Sequence, residues 1–312
     1  MFTHLHCHSH YSLLDGLSKI PDIVNAAKED GQTSIAVTDH GTMYGAIEFF
    51  NTCNEAGIKP IIGMEAYIAP RLMTDKDGKS DADYFHMTLL AENYEGYLNL
   101  MKLTTIAHVE GFYYKPRIDL PTLKAHAKGL IALSGCPRGH IPRAFANSGE
   151  LAAEEQLKVM LDIFGPNNFF LELQRNANPG HEELQPNEQL IALGKKHGVP
   201  VVATQDCHYI HKDDAEAQDI MVCIGTGRNV EDEKRLDMRG HDLSLRSIAE
   251  MTEVFADVPD AIANTQVIAD RCNVAIPIGQ RLFPKVKLPP GKTSEEHLTD
   301  EVNALAGALY ND

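Results

Sequence analysis

The chain has 312 residues, of which 43% are hydrophobic, and its formal net charge at pH 7 is −16. This length suits one large α/β domain, alone or with a small appendage. A free-standing nucleic-acid binder usually carries a basic face, because Lys and Arg supply most of its affinity for phosphates. This chain has no Lys/Arg-rich run, so a nucleic-acid substrate would require bound metal ions or a neighbouring domain to supply positive charge.

The N-terminal segment MFTHLHCHSHYS lacks the basic and apolar regions of a signal peptide, and no apolar stretch is long enough to span a bilayer. The cysteines are scattered through a large chain without secretory features, which predicts reduced thiols in the cytoplasm. They are Cys7, Cys53, Cys136, Cys207, Cys223 and Cys272.

Short apolar runs alternate with amphipathic stretches along the chain. The apolar runs predict seven strands, at residues 2–5, 34–37, 59–67, 84–90, 129–133, 168–173 and 199–203. Apolar side chains at helical spacing predict helices at residues 20–27, 46–53, 94–107, 150–164, 182–197 and 213–223. Seven such units in series indicate a parallel sheet with helices outside, and a closed barrel is favoured over an open doubly wound sheet, which would share the pattern.

The last part of the chain differs in composition. The segment IPIGQRLFPKVKLPPGKTSEEHL, beyond Cys272, is dense in proline and glycine, which is typical of a linker. A helical run from Ser294 reaches Asp312 without a partner element. We therefore expect a domain over residues 1–275, with a linker and the truncated start of a following region over residues 276–312.

Side chains that commonly bind metals cluster at the ends of the apolar runs. Because the carboxyl ends of the strands form one edge in α/β barrels and doubly wound sheets, groups carried by six of the seven predicted strands should converge there. In chain order they are His4, His6, Cys7 and His8, then Asp39 and His40, then Glu65, His86 and Cys136, and finally Asp206, Cys207 and His208.

The spacing and chemistry of these groups point to divalent cations. Residues two apart on a strand face the same side, so His6 and His8 can share an ion, as can Asp206 and His208. Imidazole, carboxylate and thiolate together suit zinc, with manganese or iron as alternatives. A carboxylate such as Glu65 can bridge two ions, and paired ions activate water and stabilise both oxygens of an in-line phosphoryl displacement.

Taken singly, each side chain has an ordinary structural interpretation. Core or surface histidines explain most HxH pairs, a lone Cys136 would be a buried apolar thiol, and a lone Glu65 would be a solvated charge. Asp39 could cap a helix or hydrogen-bond to a ligand histidine. Other histidines carry no comparable pairing and are not expected to bind metal: His4, His10, His108, His126, His140, His181, His197, His211, His241 and His297.

Several long segments resemble one protein family. They are HLHCHSHYSLLDG, AVTDHGTMYGAIEFF, KPIIGMEAY, FYYKPRID, ALSGC and ATQDCHY. They are similar to the PHP (polymerase and histidinol phosphatase) family, most closely to the PHP domains that open the α subunits of bacterial DNA polymerase III. The resemblance covers roughly residues 1–275, and FPKVKLPPGKTSEEHL looks like the start of the polymerase region.

The resemblance implies a distorted (β/α)7 barrel with a trinuclear metal centre, here up to three divalent metals with zinc favoured, at the carboxyl ends of the strands. Asp15, in the SLLDG turn, is a ligand that strand position alone would not indicate. Every implied ligand position carries a metal-capable side chain, although several members of the family have lost ligands. The implied sites are His6, His8, Glu65 and Asp206; Glu65 again with His86 and Cys136; and Asp15, His40 and His208.

The resemblance also implies a metal-dependent 3′–5′ exonuclease that proofreads DNA 3′ ends. Asp206 and Glu65 would be catalytic, and Arg117 and His10 would orient the phosphate, with Lys115 and Arg138 as further candidates; a salt bridge is the ordinary alternative for each. The implied partners are a DNA 3′ end, the polymerase domains of the parent chain and a separate proofreading subunit, with no membrane. Nothing resembles the catalytic aspartate region of a polymerase, so this fragment should not polymerise.

Two other functions fit the same residues. One is a phosphomonoesterase that acts on small metabolites, as relatives of this family do. The other is a metal-stabilised structural platform that braces the polymerase and docks a proofreading subunit. A metallo-amidohydrolase is less suitable, because it usually needs a bridging lysine in mid-barrel, where the fourth strand here offers His86.

Overall fold

The computed structural model describes residues 1–281 and 283–310, and the chain divides into two compact units, Met1–Ala275 and Ile276–Asp312. The strands of the first unit form one sheet in the order β4-β5-β2-β3-β6-β7-β8, with β1 paired to β2. The strands are β1 (Ser34–Val37), β2 (Lys59–Ile68), β3 (Phe85–Ala91), β4 (Phe112–Tyr113), β5 (Lys115–Ile118), β6 (Leu130–Leu133), β7 (Phe169–Gln174) and β8 (Val201–Thr204).

Helices alternate with these strands and follow much of the predicted pattern. In the first unit they are α1 (Ile20–Glu29), α2 (Ala46–Ala56), α3 (Gly78–Ala82), α4 (Tyr94–Val109), α5 (Leu120–Ala125), α6 (His140–Ser148), α7 (Glu150–Phe164), α8 (Asn187–His197), α9 (Ala215–Thr226), α10 (Ile248–Val254) and α11 (Pro259–Arg271). The helix predicted from residue 182 begins only at Asn187, directly after Pro186. Among residues 1–281 and 283–310, no helix is long and apolar enough to cross a membrane.

The predicted first strand at residues 2–5 is not a regular strand, but its neighbourhood closes the barrel. Ala36 N in β1 donates to His4 O, and Thr38 N donates to Cys7 O at 2.8 Å. On the other side, His8 N donates to Cys207 O at 2.7 Å, just beyond β8. The N-terminal segment therefore joins β1 to the end of β8, which gives the distorted barrel that the resemblance implied.

One strand runs against the predicted direction. β1 is parallel to β2, and β6, β7 and β8 are mutually parallel, but β3 is antiparallel to both β2 and β6. The start of β3 consequently lies at the edge where β1, β2, β5, β6, β7 and β8 end. This reversal places His86, at the beginning of β3, opposite Tyr67 and close to Glu65.

The apolar core fills the opposite end of the barrel. Its members come from successive strands and from α11, a helix that the sequence analysis did not predict. Full burial of each large aliphatic side chain contributes roughly 1.5–3 kcal/mol, so this end stabilises the fold while the polar end carries the site. The core includes Leu5, Ala36, Ile61, Leu90, Ile131, Leu133, Phe170, Val202, Ile268, Ala269 and Cys272.

The second unit contains α12 (Ser294–Tyr310), in the region where a helical run was predicted. Residue 282 of the predicted linker and residues 311 and 312 of the predicted helical run lie outside the described residues. The interpretation of this unit as a linker followed by the start of another region stays a prediction.

The buried ring of His140 should make the fold sensitive to acid. Its ring stacks on Phe85 at 3.9 Å, and burial, helped by the charge of Arg143, lowers the pKa of His140 to about 3. The unfolded chain binds this proton below about pH 6.5, whereas the folded chain does not until about pH 3, so stability is lost as pH falls through that window. Relative to the wild type, His140→Phe should lose about 2 kcal/mol less between pH 7 and pH 5.

Urea unfolding of both proteins in excess chelator at each pH measures this difference without a contribution from metal binding. Parallel pH profiles for the two proteins would contradict the assignment.

Candidate metal centre

Two histidines of the N-terminal segment face a carboxylate from the far end of the sheet. His6 Nε2 and His8 Nε2 lie 3.3 and 3.2 Å from Asp206 Oδ1, and both rings are fully buried. Asp206 follows β8 and has a φ of +57°, a left-handed conformation that costs least for Asn, Asp and Gly. This turn directs the carboxylate of Asp206 towards the two imidazoles.

Glu65 occupies the centre of the site. Its carboxylate lies 2.7 Å from His86 Nδ1, 2.5 Å from His40 Nδ1 and 3.4 Å from His6 Nε2. Cys136 Sγ lies 3.6 Å from the same carboxylate and 3.4 Å from His86 Nδ1. Because Glu65 contacts groups from four separate segments, it is placed where a bridging ligand would be needed.

The third set of implied ligands surrounds Asp15. His40 Nε2 lies 3.1 Å from Asp15 Oδ1, and His208 Nε2 lies 3.8 Å from Asp15 Oδ2. The turn that carries Asp15 is tight, since a Cβ at Gly16 would lie 2.0 Å from Ser9 O. Glycine at that position therefore lets the turn close and bring Asp15 against the two histidines.

Many atoms in this cluster are buried without a hydrogen-bond partner. An unpaired buried polar atom costs roughly 1–3 kcal/mol, and here lone pairs of several groups face one another at short range. A divalent cation would satisfy them together, and the mixture of imidazole, carboxylate and thiol fits such ions. The unpaired atoms include His6 Nε2, His8 Nε2, Asp15 Oδ1, His86 Nε2 and Asp206 Oδ1, and His40 Nδ1 and Glu65 Oε2 lie 2.5 Å apart without the geometry of a hydrogen bond.

The closest groups in the structure only partly follow the implied three sites. Candidate ligand atoms lie within 4.8 Å of one another in each close set. His8 and His40 each belong to two sets, so their assignment to one ion is not fixed by the geometry. The sets are His6 with His8 and Asp206, His40 with Glu65 and His86, His8 with His40 and His208, and a separate group of His4, Cys7 and Cys207.

The cluster also shifts the pKa values of its own histidines. Burial lowers the pKa of His8 to about 3, which keeps that imidazole neutral and able to act as a ligand. Burial acts in the same direction on His6 and His40, but nearby carboxylates outweigh it and raise both pKa values well above the usual range. A cation that binds to His6 and His40 must therefore displace protons.

Glu172 on β7 is a site residue that the sequence analysis missed. Its Oε1 lies 2.6 Å from His6 Nδ1 and accepts from Thr204 Oγ1, and its Oε2 accepts from Gly135 N at 3.0 Å. A hydrogen bond to Nδ1 leaves the lone pair of His6 Nε2 facing the centre. The signal was present, since an acidic residue interrupts the apolar run FFLELQ.

Asp39 orients His8 through a serine. Asp39 Oδ1 accepts from Ser9 N at 2.7 Å and from Ser12 Oγ at 2.8 Å, and Ser12 Oγ lies 3.0 Å from His8 Nδ1. Two roles were expected for Asp39, a helix cap and support of a ligand histidine. The structure favours the second role, with Ser12 between Asp39 and His8.

The structure gives Arg117 a different role from the predicted phosphate contact. The side chain is fully buried, and its guanidinium donates to the backbone carbonyls of Met73, Asp75, Asp81 and Gly111. These hydrogen bonds hold the segment between β2 and β3 against β5. The guanidinium is therefore not available to orient a substrate.

The other proposed phosphate contacts differ in their position. The His10 ring packs against Tyr11 at 4.3 Å, and its Nδ1 is buried without a hydrogen-bond partner among the described residues. Lys115 Nζ lies 5.5 Å from the centre of the Tyr67 ring, and the Arg138 guanidinium lies 4.7 Å from that of Tyr84. Lys115 and Arg138 therefore flank the centre.

Comparison with known proteins identifies the family. A model of the PHP domain matches residues 4–176, which is more than half of the chain. The chain belongs to the PHP domain family. The matched range ends before Asp206 and His208, which the fold brings back to the other ligands.

Curated relatives of this PHP domain are described as DNA polymerase III subunit alpha. The protein from Treponema pallidum is 42% identical over 95% of this chain, that from Borreliella burgdorferi is 45% identical over 87%, and that from Thermus aquaticus is 39% identical over 96%. The chain spans about a quarter of the length of these relatives, at 25%, 24% and 25% respectively.

The contact between Glu172 and His6 should matter for metal affinity. Glu172→Gln removes the negative charge that orients the imidazole, and loss of such a partner typically weakens metal binding about 10–100-fold. Zinc titration against a competing chelator measures the change. Glu188→Gln, whose side chain is 83% exposed, is the matched control, and equal affinity in the two variants would show that Glu172 has no such role.

Arg117 should contribute to stability and not to metal binding. Arg117→Met leaves several buried carbonyls without a donor and should destabilise the fold by at least about 3 kcal/mol, since bonds to a charged group are worth roughly 1.5–3 kcal/mol each and more than one is lost. Denaturant unfolding gives the stability, and elemental analysis of the folded variant should show an unchanged metal content. If stability is unchanged, Arg117 becomes a candidate substrate contact again. The control is Arg228→Met, at an exposed position.

Proposed function

We propose that this PHP domain is a metal-dependent phosphoesterase whose substrate is the 3′ end of a DNA strand. The convergence of buried, unpaired ligand atoms around Glu65 is the observation that supports it most strongly. Divalent ions held there, zinc first with manganese or iron as alternatives, would activate water and stabilise developing charge on a phosphate ester.

Different residues would hold different ions at this site. His6, His8 and Asp206 would hold one ion, with Glu65 bridging to a second near His86 and Cys136. The least buried ligand side chains are those of Asp206, His40 and His86, which are 14%, 11% and 10% exposed. The substrate would therefore approach from the side that these three residues share.

The choice of DNA rests on the relatives and on charge. The similar proteins are described as subunits of a DNA polymerase, so a DNA end would be present near this domain in a longer chain of that kind. The net charge of −16 disfavours binding of DNA by a broad basic face, which leaves bound cations and a few local contacts to hold a strand end.

Asp206→Asn is the sharpest test of the metal assignment. Asparagine tolerates the left-handed backbone at this position, so the variant removes the carboxylate charge with little cost to the fold. We expect loss of bound metal and of hydrolysis together, by at least about tenfold each. His126→Ala, at the end of α5, should keep both, and equal losses in the two variants would mean that the ligand assignment is wrong.

The substrate is tested with DNA labelled at its 5′ end and with a chromogenic phosphate monoester, each with added manganese or zinc. Stepwise shortening from the 3′ end supports the exonuclease. Strong turnover of the monoester with intact DNA would instead identify a phosphomonoesterase. No hydrolysis of either, in protein with confirmed metal and with a melting temperature that chelator lowers, would identify a structural platform.

A further inference from the structure

Two tyrosine–cation pairs border the metal centre on its open side. Tyr67 packs against His86 at 5.3 Å between ring centres, and Tyr84 stacks on His86 at 5.6 Å with the rings nearly parallel. The two tyrosines pack edge to face at 4.8 Å. Each carries a cation, Lys115 over Tyr67 and Arg138 over Tyr84.

These cations are available to a ligand. Within residues 1–281 and 283–310, no carboxylate lies within 4.0 Å of Lys115 Nζ. Arg138 is half-exposed and lies 3.6 Å from Asp83, but that carboxylate is already held by Arg143 at 2.6 Å. Two partly solvated cations beside a polar pocket are therefore placed to contact phosphates in a chain whose overall charge is strongly negative.

The β4–β5 hairpin adds an exposed aromatic ring directly beside Lys115. Tyr113 pairs with Lys115, so Tyr114 alone forms the tip of the hairpin. Tyr114 is 70% exposed and has a φ of +58°. A tyrosine in this left-handed conformation is strained where glycine would not be, and such strain is typical of functional positions.

We propose that this border, formed by Tyr67, Tyr84, Lys115, Arg138 and the hairpin tip at Tyr114, binds a single-stranded DNA end. Lys115 and Arg138 contact backbone phosphates, and the ring of Tyr114 stacks on a base. Interleaved cations and aromatic rings are the usual means of holding single strands without reading their sequence. The proposal rests on the proposed function, because it names how the substrate of that same site is held.

The fold supplies matched control positions at the opposite end of the barrel. Tyr94 follows the end of β3, and Lys128 precedes β6; both lie where Ala91 pairs with Leu130, away from the ligand edge. Tyr94 is 40% exposed, and the side chain of Lys128 is 79% exposed. Tyr94→Ala and Lys128→Gln therefore remove an aromatic ring and a charge without touching the border.

The test measures binding separately from hydrolysis. The probe is a 5′-fluorescein oligothymidylate with phosphorothioate linkages, which resists cleavage, and its anisotropy is followed with the manganese-loaded chain at several salt concentrations. Lys115→Gln and Arg138→Gln should each reduce the slope of log affinity against log salt by about 0.7. Tyr114→Gly, whose backbone suits glycine, should weaken binding about 5–100-fold with the slope unchanged.

Each outcome bears on the proposal. If Lys115→Gln and Arg138→Gln keep the salt slope of Lys128→Gln, or if Tyr114→Gly binds as tightly as Tyr94→Ala, the border is not the binding site. Loss of binding by Tyr114→Gly cannot be ascribed to unfolding if its melting temperature is not below that of the wild type. Because no cleavage is needed, a domain that binds the probe but never hydrolyses DNA would overturn the proposed function and leave this inference standing.

Discussion

The central constraint on this molecule is the crowding of ligand groups around the carboxylate of Glu65. Buried carboxylates, imidazoles and a thiol lie within a few ångströms, and many of their atoms have no hydrogen-bond partner. Such a cluster is unfavourable in a low-dielectric interior unless opposite charge compensates it. Protons on His6 and His40 can supply part of that charge, and divalent cations can supply more.

The rest of the barrel offsets the energetic cost of this crowding. The apolar core and α11 fill the opposite end, where burial stabilises the fold without involving any ligand. Around the cluster itself, buried polar residues fix the ligands in place: Glu172 holds His6, and Asp39 holds His8 through Ser12. A ligand set fixed in this way loses little conformational freedom when a cation binds.

Much of the site could be predicted because ligand-type side chains follow apolar runs, and strand ends meet at one edge of a barrel. The direction of β3 could not be read from periodicity, although a clue existed. A parallel connection needs a crossover of a dozen or more residues, usually a helix, and no helix was predicted between residues 67 and 84. The short α3 found there leaves β2 and β3 as antiparallel neighbours.

The role of Arg117 was hidden for a different reason. In the sequence, an arginine beside a ligand-bearing strand fits a phosphate contact as well as it fits a structural role. Only the packing of the segment around Met73 and Asp81 shows where the guanidinium points. Glu172 is the reverse case, because a carboxylate inside an apolar strand is rarely solvated and so needs a partner. A carboxylate isolated within a buried apolar run can therefore be recognised from the sequence, whereas the contacts of the buried Arg117 are evident only from the structure.

The distribution of charge unites the fold with the proposed activity. A chain with a net charge of −16 repels DNA at long range, so affinity has to come from short-range contacts at one place. Bound cations at the centre would attract the scissile phosphate, while Lys115 and Arg138 beside it are held over tyrosine rings and not in tight ion pairs. In such an arrangement a strand end would be bound only where it can also reach the metal site.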